Sequence, residues 1–151
     1  MKKLLFTFLA ITLIFAACEK EEEPTTNNNT TTPTTYAFSC KIDGVDFTDN
    51  SPVVSISNNV FTLDATSGDN TIRIIIHDFS NRNEGEEISL DFPNGVYVTM
   101  GTAYFTNTQS GKLTFSEIVT ELSAEFNFKC NNLQTFEDVT VTEGAFTDLA
   151  F

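Results

Sequence analysis

From Phe38 onward the chain alternates apolar and polar side chains over short stretches. The clearest is Glu121-Leu122-Ser123-Ala124-Glu125-Phe126-Asn127-Phe128-Lys129-Cys130, with Leu122, Ala124, Phe126, Phe128 and Cys130 on one parity. Successive side chains of a strand point to opposite faces of its sheet, so a period of two predicts a half-buried strand. The pattern recurs at Phe38, Cys40 and Ile42; Phe61, Leu63 and Ala65; Ile72, Ile74 and Ile76; Val96, Val98 and Met100; Leu113 and Phe115; and Val139 and Val141.

Between these stretches lie Asp43-Gly44, Asn58-Asn59, Ser67-Gly68-Asp69-Asn70, Pro93-Asn94-Gly95 and Ser110-Gly111. Asn and Gly tolerate the positive φ that tight hairpin turns demand. Short strands at short spacing, with no helical period, predict one all-β domain. The expectation is an antiparallel meander of about eight to ten strands, forming a β-sandwich or a closed β-barrel. A barrel removes exposed edges, but the pattern does not choose between the two. The Ile72, Ile74, Ile76 stripe and the Leu122 to Phe128 stripe are expected to face one shared interior. Phe126→Asp should then unfold the domain, because an unpaired buried charge costs several kcal/mol.

The N-terminal segment follows a different rule. Met1-Lys2-Lys3 precedes an uncharged apolar run over residues 4–15, the basic start and short core of a secretory signal. A membrane-spanning helix needs about 20 apolar residues, and Glu19, Lys20 and Glu21 follow Cys18 at once. Phe15-Ala16-Ala17-Cys18 resembles a bacterial lipobox, with Phe15 where Leu is usual. The resemblance implies a signal peptide over residues 1–17 and acylation of Cys18. Two or more acyl chains anchor a protein stably, where one binds only marginally.

The following Cys18-Glu19-Lys20-Glu21-Glu22-Glu23 resembles the Lys-plus-acidic export signal of Bacteroidetes lipoproteins. It implies the outer membrane, with the domain facing the cell exterior; the alternative is a periplasmic-facing anchor. Residues 24–35 hold only Pro, Thr and Asn, a composition that cannot offset the entropy of ordering. Residues 18–35 are therefore expected to be a hydrated tether, and residues 36–151 the β domain.

Charge narrows the partners. The chain carries 21 acidic against 8 basic residues, a formal net charge of −13, and loss of the leader removes Lys2 and Lys3. Nucleic acid binding needs a basic face, so that class is excluded. The expected partners are the membrane, through acylated Cys18, and a protein or glycan. Cys40 and Cys130 both lie on the apolar parity of their strands. They are an expected disulfide if early and late strands adjoin, or two buried thiols acting as small hydrophobes.

Catalytic chemistry is thin in the sequence. His77 is the only histidine, on the face opposite the Ile72, Ile74, Ile76 stripe, near Asp78 and Ser80 but with no nucleophile elbow. Asp43, Asp46, Asp64, Asp69, Asp91, Glu117 and Glu125 are available as carboxylates, but their spacing selects no acid–base pair. There is no zinc cluster and no twelve-residue calcium loop; Asp43, Asp46 and Asp69 are the candidates for a weak calcium site, and no cofactor is expected. Fifteen Phe, three Tyr and no Trp read first as core filler. Sugar-binding platforms often use Trp, so its absence disfavours glycan capture, and Tyr97 and Tyr104 are the rings that remain available to a sugar.

Five ordered landmarks resemble an uncharacterised Bacteroidetes surface lipoprotein family: Phe38-Ser39-Cys40-Lys41-Ile42-Asp43-Gly44-Val45-Asp46-Phe47, Gly95-Val96-Tyr97, Gly111-Lys112-Leu113-Thr114-Phe115, Leu122 to Phe128, and Val141-Thr142-Glu143-Gly144-Ala145-Phe146. Ala124 stands where that family is expected to carry Gly. The resemblance implies location and fold and carries no site residues. Three functions follow as expectations. The first is a non-catalytic envelope module binding a macromolecular partner or glycan. The second is a barrel-type carrier of a small apolar ligand, and the third a hydrolase.

Overall fold

The computed structural model describes residues 37–151; Cys18, the leader and the residue 18–35 tether lie outside the described residues. Eleven strands form two antiparallel sheets: β1 (Phe38–Ile42), β2 (Val45–Asp49), β3 (Val53–Ser57), β4 (Val60–Ser67), β5 (Asn70–His77), β6 (Glu87–Ser89), β7 (Gly95–Met100), β8 (Ala103–Phe105), β9 (Asn107–Glu117), β10 (Leu122–Asn131) and β11 (Asp138–Leu149). One sheet runs β2-β1-β11-β10-β9-β6 and the other β3-β4-β5-β7-β8. Their apolar faces pack together as a β-sandwich.

The sheets remain open, which corrects the barrel alternative. The first strand does pair with the last, Phe38 with Phe146 and Ile42 with Val141. That pairing sits inside the six-stranded sheet, whose edges are β2 and β6. The meander is also local. β3–β4–β5 and β9–β10–β11 are consecutive hairpins, whereas β6 pairs with β9 and β5 with β7.

Both stripes read from the sequence are buried: Ile72, Ile74 and Ile76 in one sheet, and Leu122, Ala124, Phe126, Phe128 and Cys130 in the other. Rings fill the space between them. Phe61 packs against Phe79, Phe115 and Phe146 with centroids 5.3–6.3 Å apart, and Phe126 lies 5.2 Å from Phe38. The carrier expectation assumed a hollow barrel, whereas here Phe rings pack between two open sheets.

The turns follow their residue chemistry. Asp43-Gly44 and Asn58-Asn59 have positive φ at both central positions, 49° and 83°, then 50° and 64°, which is the hairpin turn whose twist matches the strands. Ser110-Gly111 is not a turn. It lies within β9, where Gly111 faces Phe128 so closely that an added Cβ would meet the Phe128 Cβ at 2.5 Å.

Two ends of the sandwich are distinct. The chain enters β1 at Phe38, beside the end where Leu122 pairs with Leu149. The β1–β2 turn and the residue 132–137 loop between β10 and β11 lie at the other end, where Asp43 N donates to Thr140 O at 2.9 Å and Asn131 pairs with Asp138. From Phe146 to Asp138 along β11 the separation is about 25 Å, at about 3.3 Å per residue.

Candidate functional site

Burial of Ile72, Ile74, Val96, Val98 and Phe105 forces the alternate residues of β5, β7 and β8 to the outer face of the five-stranded sheet. The register sets Arg73 opposite Tyr97, Thr71 opposite Thr99, and Thr99 opposite Tyr104. Tyr97 and Tyr104 are therefore diagonal neighbours, about 7–8 Å apart and within reach of each other's rings. With Thr71, Arg73, Thr99 and Thr106 they line a groove of about 320 Å³. Both rings stand in solvent, Tyr97 39% and Tyr104 62% exposed.

Arg73 is held in place by a two-point bond. Its Nε donates to Asp64 Oδ1 at 2.6 Å and its Nη2 to Asp64 Oδ2 at 2.8 Å, and this hydrogen-bonded carboxylate raises the guanidinium pKa further. The fork fixes the plane of the guanidinium and leaves its remaining N–H groups for a ligand. Tyr97 leans over Gly95, where an added Cβ would lie 3.7 Å from its Oη.

Tyr104 and Thr106 also line a second groove of about 250 Å³, with Thr102, Asn132, Leu133 and Gln134. Its far wall is the residue 132–137 loop, shaped by the buried Asn132. Asn132 Oδ1 accepts from Gln134 N at 2.8 Å and Thr135 N at 3.2 Å. Its backbone N donates to Glu137 O, and its carbonyl accepts from Phe136 N. The loop is tied to the sheet by Thr106 N donating to Asn131 O at 3.2 Å.

The outer face of the six-stranded sheet carries a larger groove, about 410 Å³, lined by Lys112, Thr114, Glu125, Phe126, Asn127, Glu143, Gly144 and Ala145. Two of its charged side chains are engaged in exposed ion pairs, Glu143 with Lys41 at 2.5 Å and Lys112 with Glu87 at 2.7 Å. No exposed ring stands there, since Phe126 is buried. The smaller groove with two exposed tyrosines is the better recognition surface, because aromatic rings give large contact area at little entropic cost.

No family model, curated protein or solved structure matches this chain. The chemistry of the site therefore rests on its own residues.

The sequence-derived site residues are scattered. His77 uses its backbone: its N donates to Asn94 Oδ1 at 2.7 Å and its carbonyl accepts from Arg82 Nη2 at 3.0 Å. Ser80 N donates to Asn59 Oδ1, and these hydrogen bonds of His77 and Ser80 are made by their backbones. The Asp64 carboxylate is committed to Arg73, and Asp91 Oδ2 accepts from Ser89 Oγ at 3.1 Å. Glu117 Oε1 accepts from Val119 N and Thr120 N. Those backbone bonds, Thr120 first, hold the Glu117 carboxyl below its ordinary range. Glu125 lines the groove on the other sheet.

Of the calcium candidates, Asp43 and Asp46 line one depression with Asn70, the neighbour of Asp69. Asp43 Oδ1 accepts from Thr140 N at 2.9 Å, Asp46 is exposed on β2, and Asp69 sits in the β4–β5 turn of the opposite sheet. Among the described residues no group of three His, Cys, Asp or Glu is placed to share a metal ion.

Cys40 and Cys130 are free and buried, which corrects the expected disulfide. Cys40 lies on β1 and Cys130 on β10, with β11 between them. Two strand spacings put them at least about 9 Å apart, beyond the roughly 7 Å limit for bridging Cα atoms. Burial pushes both thiols up to about 12.

Sequence reasoning found the two tyrosines but missed Arg73, the groove threonines and the Asn132–Gln134 wall. One clue was available: the Val96, Val98, Met100 stripe turns Tyr97 and Thr99 outward. Reading Gly101-Thr102 as a two-residue turn then pairs Thr99 with Tyr104, as observed, with Gly101 at φ 58°.

Proposed function

We propose that this protein is a non-catalytic, lipid-anchored module of the bacterial cell envelope that holds a glycan on the outer face of its five-stranded sheet. The observation that carries the reading is the pair of exposed tyrosine rings, Tyr97 and Tyr104, set diagonally around one groove with Thr71, Thr99 and Thr106 hydroxyls and the Arg73 guanidinium. Sugar rings present C–H faces that pack on the negative face of an aromatic ring, and rims of hydroxyls that pair with hydroxyl and guanidinium groups. The groove offers both, at a scale suited to one or two sugar rings.

In this reading the anchor is acylated Cys18, and the resemblance of residues 15–23 to a lipobox and an acidic export run supports a position at the outer membrane facing outward. A Cys18→Ala protein should remain unlipidated, and protease shaving of intact cells should release the domain. A fully protected domain would overturn exterior display.

The glycan reading is tested by titration calorimetry of the wild type, Tyr97→Ala and Tyr104→Ala against neutral oligosaccharides, with melting curves beside each. Both tyrosines are exposed, so the variants should fold normally and lose about tenfold or more in affinity, as truncated aromatic anchors do. Equal affinity in folded variants, or no binding of any neutral glycan, would overturn it.

A further inference from the structure

The Tyr97–Tyr104 groove does not stop at Tyr104. The same Tyr104 and Thr106 side chains form one wall of the second groove, whose other side is Leu133, Gln134 and Asn132. One ring therefore serves two adjacent depressions. At about 320 and 250 Å³, each alone sits near or below the low end of ligand sites, which span about 300–1,000 Å³. Together they fall well inside that range.

The second depression repeats the chemistry of the first. Tyr104 and Leu133, which is 62% exposed, supply apolar surface, and the Gln134 amide and Thr102 hydroxyl supply donors and acceptors. A ligand satisfied by both depressions has a repeating unit that is apolar on its faces and hydroxylated at its rim. Among the described residues Arg73 is the only formally charged one lining the pair, and Asp64 already matches it. A polyanion would meet no unmatched cation there, and it would face a chain of net charge −13.

We infer that the two grooves form one extended cleft for a linear, uncharged polysaccharide, with Tyr104 as the ring at the junction of two subsites. This rests on the glycan reading above and adds the length and charge of the ligand. Three features of the cleft follow. Tyr97 and Arg73 serve the first subsite, Leu133 and Gln134 the second, and Tyr104 both. Short oligosaccharides fill one subsite and longer ones gain the second. The Asn132-shaped loop keeps the second wall in place before the ligand arrives, so little ordering entropy is lost on binding.

The test uses the full-length lipoprotein in detergent, titrated with length-graded series of cello-, malto- and manno-oligosaccharides and with polygalacturonate as the charged probe. At least one neutral series should bind with affinity that climbs with chain length by about tenfold and then levels. Leu133→Ala and Gln134→Ala, both at exposed positions, should abolish that gain. Tyr97→Ala should weaken every length. Affinity independent of length, or a length gain that survives both loop substitutions, would overturn the extended cleft while sparing the glycan reading. Tighter binding of polygalacturonate than of every neutral series would overturn the uncharged assignment. Absence of binding by every series would overturn the glycan reading and this inference with it.

Discussion

Gly144 of β11 lies directly opposite Phe126 of β10, and the Phe126 ring occupies the space a Gly144 side chain would need. The neighbouring Glu143 has φ 52°, and the register slips between Phe126 and Phe128, so an extra β11 residue bulges there. The bulge and the missing side chain together let a large ring lie flat against the central strand. Gly144→Ala should destabilise the domain by about 1–3 kcal/mol through overpacking. Urea unfolding should show a lower midpoint with unchanged slope. Gly44 makes the contrast: open space surrounds it but φ is 83°, so Gly44→Ala should cost about 1–2 kcal/mol through backbone strain alone.

Phe126 is 3% exposed and packs its ring against Phe38, Phe128 and Phe146. Phe126→Ala should cost about 3–5 kcal/mol, and Phe126→Asp should abolish folding, since total stability is about 5–15 kcal/mol. A soluble Phe126→Asp variant with a cooperative melt would show that the packing has been misjudged.

The two thiols make a pH prediction. Burial raises Cys40 and Cys130 from the ordinary 9.0 to about 12. Both stay protonated in the fold at pH values where they ionise in the unfolded chain. Their contribution is complete below pH 9 and is lost as pH climbs toward about 12, at up to about 1.4 kcal/mol per unit for each thiol. Melting temperature should fall across that window, and Cys40→Ala with Cys130→Ala should flatten the fall. Alkylation of the native domain at pH 8 should leave both thiols unlabelled, and urea should expose both.

Asp64 and Arg73 separate stability from positioning. Their pair lies at the surface, with side chains 28% and 50% exposed, so Asp64→Asn should change stability by no more than about 1 kcal/mol. The same change removes the carboxylate that fixes the guanidinium plane, so glycan affinity should drop several-fold. Arg73→Lys, which keeps the charge but not the fork, should lose affinity similarly.

The buried Asn132 shapes the loop it begins. Asn132→Ala should cost about 1–3 kcal/mol and speed amide exchange at Gln134 and Thr135, whereas Asn132→Asp keeps the acceptor and should rescue both. Phe136 is 77% exposed at φ 60°, so Phe136→Gly should leave stability unchanged or raise it.

Legibility differed by scale. The Leu122 to Cys130 stripe was readable residue by residue, because one face of that strand is core and the other is solvent. The β3 strand was not, because it is an edge strand with little buried surface to impose a period. Gly111 misled as a turn residue because a glycine permits close approach as well as tight turning, and the facing Phe128 is remote in sequence. The cysteines shared the core parity, but only register reveals that β11 separates them. The tyrosine groove depends on a hairpin turn and a strand pairing that composition does not record.

The placement of β1 governs what happens when the protein is pulled. Any tension from the N-terminal side enters at Phe38, while the Tyr104 cleft lies toward the opposite end of the sandwich. On the proposed reading, a ligand held there and drawn away from an N-terminal attachment would load β1 along its own length, and β1 is gripped by β2 on one side and β11 on the other. Force in that direction shears both ladders of hydrogen bonds at once, where a pull from the side would unzip them singly. Such a geometry would suit a domain tethered at its N-terminal side and loaded at its far end.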